Sequence, residues 1–322
     1  MSRPPLLTTH QKSRLAVLEP ALREAVYAAD YKKAKIFALE IQDLLRVTGH
    51  ETRLMQAKNW LFEAALNAGE VFTAEAGFRG IREKTGEATH VHLKATALLV
   101  VCLLRQKRIL DAEPLIATVL LGKSIKDIDR RRKFIESVTT RYQLESYIAA
   151  IKNLGHESLN ADVVDAEAIK AVQTKSDEEL YAQIASALPR EVIEFVFRVD
   201  TAARKRLSVN EVLYLPSPAA LARQVQQGKS FFASLKLVIW RSLCEPQSEI
   251  YKAWYTNGMA HILSKKYYAI VVTAALVDLG FASRAAAVPV TALLMKLGIE
   301  VYCDRYKPGE ILDERANTNA NI

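Results

Sequence analysis

Four groupings of residues in this chain have types and spacings that chemistry could use. They are a histidine pair, a glycine–lysine–serine triplet, acids beside a lysine near the C-terminus, and clusters of arginine and lysine. His90 and His92 stand two apart in HVH. On a helix, positions i and i+2 point in different directions, so both could reach one metal ion only from an extended backbone. Their context reads as the start of a helix, and HExxH is absent, so no metal site is expected. Gly122-Lys123-Ser124 copies the end of a phosphate loop. No glycine stands five residues earlier, and the preceding IATVLL reads as helix, which excludes that loop. GxGxxG and GxSxG are both absent. Glu300, Asp304 and Lys307 in EVYCDRYK would suit metal-assisted phosphate chemistry on a strand, but no upstream acid completes the set. An enzyme would need a composite C-terminal site where Glu300, Asp304 and His261 converge. No catalytic, metal-binding or cofactor-binding residue is assigned, no cofactor is expected, and a non-enzymatic role is preferred.

The basic clusters are Lys32-Lys33, Arg105 with Lys107-Arg108, Arg130 to Lys133, Arg204 to Arg206, and Lys265-Lys266. Each alone is the solvated face of a soluble protein. Together they make a second reading, nucleic-acid contact, with Arg130, Arg131, Lys133, Arg141, Arg204, Lys205 and Arg206 as the candidate residues. Four consecutive charges cannot share one helix face, but Arg130, Lys133 and Arg141 could form a stripe. Tyr267-Tyr268 would place stacking rings beside Lys265-Lys266.

These residues need elements to position them, and composition says which. Of 322 residues, 50% are hydrophobic and 25% charged, enough to bury a core. Only 12 glycines and 10 prolines interrupt the chain, which favours long helices. The net charge of +8, from 44 basic and 36 acidic residues, would draw phosphate or an acidic protein through its long-range field. Cys102, Cys244 and Cys303 lie far apart and form no CxxC pair. That argues against a disulfide framework and a zinc site. With no apolar leader in MSRPPLLTTHQKSR, a cytoplasmic, reducing location is the default expectation.

Residues 11–122 contain a loose internal repeat. Three segments, 11–49, 50–86 and 87–122, each read as helix, short polar break, helix and terminal glycine. The breaks AADYKKAK, NAGEVFTAE and RQKRILDAE align, and each puts an alanine five residues beyond a turn position: Ala34, Ala74 and Ala112. Ala38, Phe78 and Ile116 follow four residues later. Gly49, Gly86 and Gly122 stand where a C-cap would close each second helix. This pattern resembles the tetratricopeptide hairpin, in which a small residue on the second helix lets two helices approach closely. The usual small residue of the first helix is missing, since Leu22, Phe62 and Val100 stand there, and the period exceeds 34. The resemblance implies a stack of antiparallel helical hairpins, an α-solenoid.

Beyond it, one long helix is expected from Ser124 to about Gly155, and a boundary after residue 155. The expected organisation is therefore a mainly α protein: a tetratricopeptide-like domain over 1–155, and a smaller helical domain over 156–322 with a polar, disordered tail. In that second domain, Ser176 with Glu179 reads as a capping box. Residues 219–242 and 247–264 read as helices. The apolar run 269–297 is broken by Asp278, Gly280, Ser283 and Arg284, so a buried hairpin is expected and no transmembrane span. Ile299 to Cys303 has the look of a short strand.

The function this implies is a non-catalytic scaffold whose groove holds a partner protein. By analogy with helical-repeat proteins of this size, it would be an accessory subunit of a bacterial multi-protein system of the defence type. The apolar C-terminal hairpin offers a surface for homo-oligomer formation.

Overall fold

The computed structural model describes residues 4–122, 124–152, 155–156, 158–244, 248–257 and 266–305. The fold is mainly α. In chain order the helices are α1 (Thr9–Tyr27), α2 (Tyr31–Leu45), α3 (Glu51–Asn67), α4 (Val71–Lys84), α5 (His90–Arg105), α6 (Ile109–Leu121) and α7 (Ile128–Ile151). There follow the two-residue β1 (Gly155–His156), then α8 (Ala161–Thr174), α9 (Asp177–Ala187), α10 (Arg190–Arg204), α11 (Val209–Val212) and α12 (Pro218–Leu221). The remainder is α13 (Gln224–Ser234), α14 (Lys236–Cys244), α15 (Glu249–Asn257), α16 (Tyr267–Asp278), β2 (Phe281–Ala282), α17 (Arg284–Leu297) and α18 (Ile299–Arg305).

Packing divides the chain into two compact units. The first takes in Met1–Tyr142 and Thr201–Val212, the second Gln143–Asp200 and Leu213–Pro308. The division falls inside α7 and α10, not at residue 155. A long amphipathic helix can contribute to one core with each of its halves, so a polar stretch in the sequence need not mark where packing changes.

In the first unit each helix packs on its sequence neighbours from α1 to α6, and the first helices α1, α3 and α5 also pack in series. The turns explain the regularity. Ala29, Gly69 and Lys107 all adopt positive φ, at 49°, 89° and 59°. Each is followed by a backbone N–H reaching back five residues: Asp30 to Ala25, Glu70 to Ala65 and Arg108 to Leu103, all 2.9 Å. A second bond runs from Ala29 to Val26, Gly69 to Leu66 and Lys107 to Leu104. This is the Schellman closure, which satisfies the orphan carbonyls of a helix end. Five residues on, Ala34, Ala74 and Ala112 are fully buried, each at the fourth position of its helix, where a larger side chain would hold the two helices apart.

The turns also lock onto one another. Asn67 donates to the Val26 carbonyl at 3.1 Å, and Arg105 donates to the Leu66 carbonyl at 2.5 Å. Donor and acceptor hold the same places relative to successive turns, so the same bond is made twice between neighbouring hairpins. Between α3 and α4, Gly77 supplies the missing small residue. A Cβ there would run into the Phe62 ring, which packs edge-on against Phe78 at 6.1 Å.

Of the three glycines expected as helix caps, only Gly49 has positive φ, at 72°. α4 ends at Thr85 in an extended conformation, and Gly122 has φ −57°. The glycine or its substitute that matters sits in the turn within each hairpin.

The second unit is built around α9, α13 and α17. α13 lies so close to α9 that a Cβ at Gly228 would run into the Tyr181 carbonyl. Phe231 and Phe232 on α13 face two aromatic series. Phe231 meets Tyr147 and Phe281, and Phe232 meets Tyr181 and Tyr302, all edge-on at 6.0–6.5 Å. The Ser176–Glu179 capping box forms at the start of α9. β1 pairs with β2 in parallel, Gly155 opposite Phe281 and His156 opposite Ala282.

The apolar run forms α16 and α17, which pack on each other and on α8. Val272, Leu276, Val290 and Leu294 are completely buried, and Pro289 lies inside α17. Ile270 and Val277 are the exposed large apolar side chains of this pair, so most of its apolar surface is already covered. Among the described residues no single helix is long and apolar enough to cross a membrane.

Three expectations are corrected. Residues 299–303 are helical, within α18. The stretch 219–242 is broken into α12, α13 and α14. Cys244 and Cys303 form a disulfide bridging α14 and α18, across 59 residues of sequence, while Cys102 is buried and belongs to no disulfide. Cysteine spacing along a chain carries no information about which helix ends meet. The C-terminal tail, Lys123, His261, Lys265 and Lys307 lie outside the described residues.

Candidate functional site

Two surfaces of the first unit have the character of binding faces. The first joins α1 and α3. Arg53 donates to both carboxylate oxygens of Glu19, at 2.6 and 3.0 Å, a forked pair that fixes both side chains. Hydrogen bonding to Glu19 holds the Arg53 guanidinium above its ordinary range. The Arg23 guanidinium lies 5.8 Å over the Trp60 ring. Trp60 is half-buried, and its indole N–H has no hydrogen-bond partner among the described residues. The indole N–H is itself buried, so what this pair offers to solvent is part of the ring and the guanidinium.

This face does not continue onto α5. Every residue of α5 from Val91 to Leu104 is buried, including the Lys94–Glu63 ion pair at 3.2 Å. Asn59 on α3 donates to the Val91 carbonyl at 3.0 Å. α5 is a core helix.

The second surface is basic, and the structure sorts its candidate residues. Arg131 is an anchor. Its guanidinium donates to the carbonyls of Leu120 and Gly122 at 2.6 and 2.7 Å, closing the end of α6, and to Glu211 at 2.7 Å. The other Glu211 oxygen accepts from the Ser208 hydroxyl at 2.8 Å. Partial burial pushes the Glu211 carboxyl up, but the bonds from Ser208 and Arg131 outweigh it and hold it below the usual range. Arg141 and Arg204 are half-buried and drawn in from the surface. Arg130, Lys133, Lys205 and Arg206 are exposed and have no ion pair among the described residues. The two basic clusters, over 70 residues apart in sequence, thus belong to one unit and are joined through Arg131 and Glu211. Ser208-x-x-Glu211 is a capping-box spacing, and that was the one sequence signal for this joint.

The remaining candidates separate. His90 is exposed, whereas His92 is buried with Nδ1 3.3 Å from the Thr85 hydroxyl. They make no common site. Glu300 and Asp304 are exposed on α18. Among the described residues no cluster of three or more histidine, cysteine or acidic side chains could hold a metal ion. Compared with family models, with curated proteins and with solved structures, the chain finds no match.

Proposed function

We propose that this protein is a non-catalytic binding scaffold, a short tetratricopeptide-like solenoid that presents the outer face of α1 and α3 to a segment of a partner protein. One observation carries the reading. The Schellman turn is made three times with the same bonds, and the side-chain bond between neighbouring hairpins is made twice. Serial hairpins held at fixed offsets are how helical-repeat proteins build an extended binding surface. With α5 enclosed, that surface is confined to two first helices, centred on Trp60, Arg23 and the Glu19–Arg53 pair.

The test is co-purification from the native source after nuclease treatment, with Trp60→Glu as the comparison. A protein retained in stoichiometric amount by the wild type and lost with Trp60→Glu is the expected result. Retention of the same protein by both, or of none by either, overturns the proposal.

A further inference from the structure

We propose that the first unit also binds the sugar–phosphate backbone of nucleic acid, through a basic face made by the N-terminal half of α7 and the segment after α10. The charge partition is the starting point. The first unit, with the C-terminal segment 309–322, carries 28 lysines and arginines against 20 acids, and the second 16 against 16. The whole net charge of +8 thus belongs to the first unit, and the second is neutral.

Within the first unit, residues 124–142 and 201–212 hold nine basic residues and four acids. Two of those acids are already engaged. Glu211 is held by Arg131 and Ser208, and Asp127 accepts from the Arg130 backbone N–H at 2.8 Å. Neither forms an ion pair with Arg130, Lys133, Lys205 or Arg206 among the described residues. Asp129 lies 3.9 Å from Arg132, leaving Arg130 and Lys133, one helical turn apart, to face solvent. Arg206 lies two residues from the anchored Ser208, and two residues span at most about 7 Å. Lys205 and Arg206 are therefore held beside the joint that Arg131 makes with Glu211. Four unpaired cations on two fixed segments can engage several successive phosphates of one strand, which rise about 3.4 Å per nucleotide along the axis. Two of the four are arginines, whose planar fork matches phosphate oxygens. Exposed Ile128 and Val209 flank the face, so an anionic membrane is the competing occupant.

The experiment measures binding of the full chain to duplex DNA, duplex RNA and phosphatidylserine vesicles over a range of salt. One variant carries Arg130→Ala, Lys133→Ala, Lys205→Ala and Arg206→Ala. A control of equal charge carries Lys12→Ala, Lys32→Ala, Lys33→Ala and Lys35→Ala, four exposed lysines on α1 and α2. All eight side chains are exposed, and circular dichroism confirms the helix content of both variants. Expected is binding of either duplex that weakens steeply with salt. The first variant should lose about tenfold or more in affinity near 0.1 M salt, and its logarithmic salt slope should shrink by about 3 to 4. The control should bind within about threefold of wild type. A preference between the two duplexes reports on the sugar. Equal losses in both variants, binding indifferent to salt, or binding to vesicles and to neither duplex overturns the proposal.

Discussion

Three residues with positive φ decide how the first unit is built, and only one of them is glycine. Ala29 and Lys107 hold the left-handed conformation that Gly69 adopts freely, at a steric cost of about 1 kcal/mol each. Ala29→Gly and Lys107→Gly should therefore each raise stability by about 0.5–1 kcal/mol, and Gly69→Ala should lower it by about 1 kcal/mol. Chemical denaturation of the full chain measures all three. A loss on placing glycine at 29 or 107 would show that those turns are not left-handed in solution. The same scale explains why the basic residues do not act alike. Arg131 and Arg130 are neighbours, yet one closes the end of a helix and the other faces water.

Among the elements, α18 shows how a short helix depends on tertiary constraint. It is seven residues long, too short to persist alone. It is held by the Cys244–Cys303 bridge, by the Trp240 indole donating to the Cys303 carbonyl at 2.8 Å, and by buried Ile299 and Tyr302. In the chain-entropy model, closing a loop of this length stabilises by about 4 kcal/mol. Replacing both cysteines with serine should cost about 2–4 kcal/mol in a denaturation experiment. A dithiol reductant should lower the wild-type midpoint and leave that of the double variant unchanged. Identical midpoints for wild type and variant would mean that the bridge contributes nothing. The neighbouring α17 is tied separately. Lys296 donates to the Lys175 carbonyl and to Asp177, and Arg284 pairs with Glu167.

Over the whole molecule, individual carboxyls respond to acid with either sign. In the first, partial burial raises Glu75, but Gln106, Arg79 and Arg108 outweigh it and bring its carboxyl below the ordinary 4.5. Glu211 is lowered likewise. A carboxyl whose folded value lies below its unfolded one stabilises above the unfolded value, and that contribution is lost as pH falls through the folded one. In the second unit burial raises Asp165, so its sign is reversed: protonation below its folded value favours the fold. As pH drops below 4.5, amide exchange should therefore quicken in α4 and the Gln106–Arg108 turn, whereas in α8 the lowered Glu167, held by Arg284, and the raised Asp165 act in opposite directions. Glu75→Gln should flatten the dependence in the first unit. Exchange in α4 that does not change as pH falls, or that changes equally in Glu75→Gln, would contradict the assignment. The charge partition has the same scale. The sequence gives only a net +8, and the assignment of all of it to one unit follows from which segments pack together.

Local signals determined a good part of this protein by themselves. Scarce glycine and proline with helical spacing gave a mainly α chain. The alanines at 34, 74 and 112 marked where helices pair, because a small residue is needed wherever two backbones come close. Ser176 with Glu179 gave a helix start, and interrupting polar residues gave two short apolar helices, neither long enough by itself to cross a membrane. Tertiary structure decided what depends on partners distant in the chain. It joined Cys244 to Cys303, made α18 a helix where the pattern suggested a strand, enclosed α5, and set Arg131 against Glu211. The reason is common to all four. Periodicity and capping act over a few residues and are written locally, whereas the packing of one segment on another is settled by the total surface that the chain can bury, which no single stretch encodes.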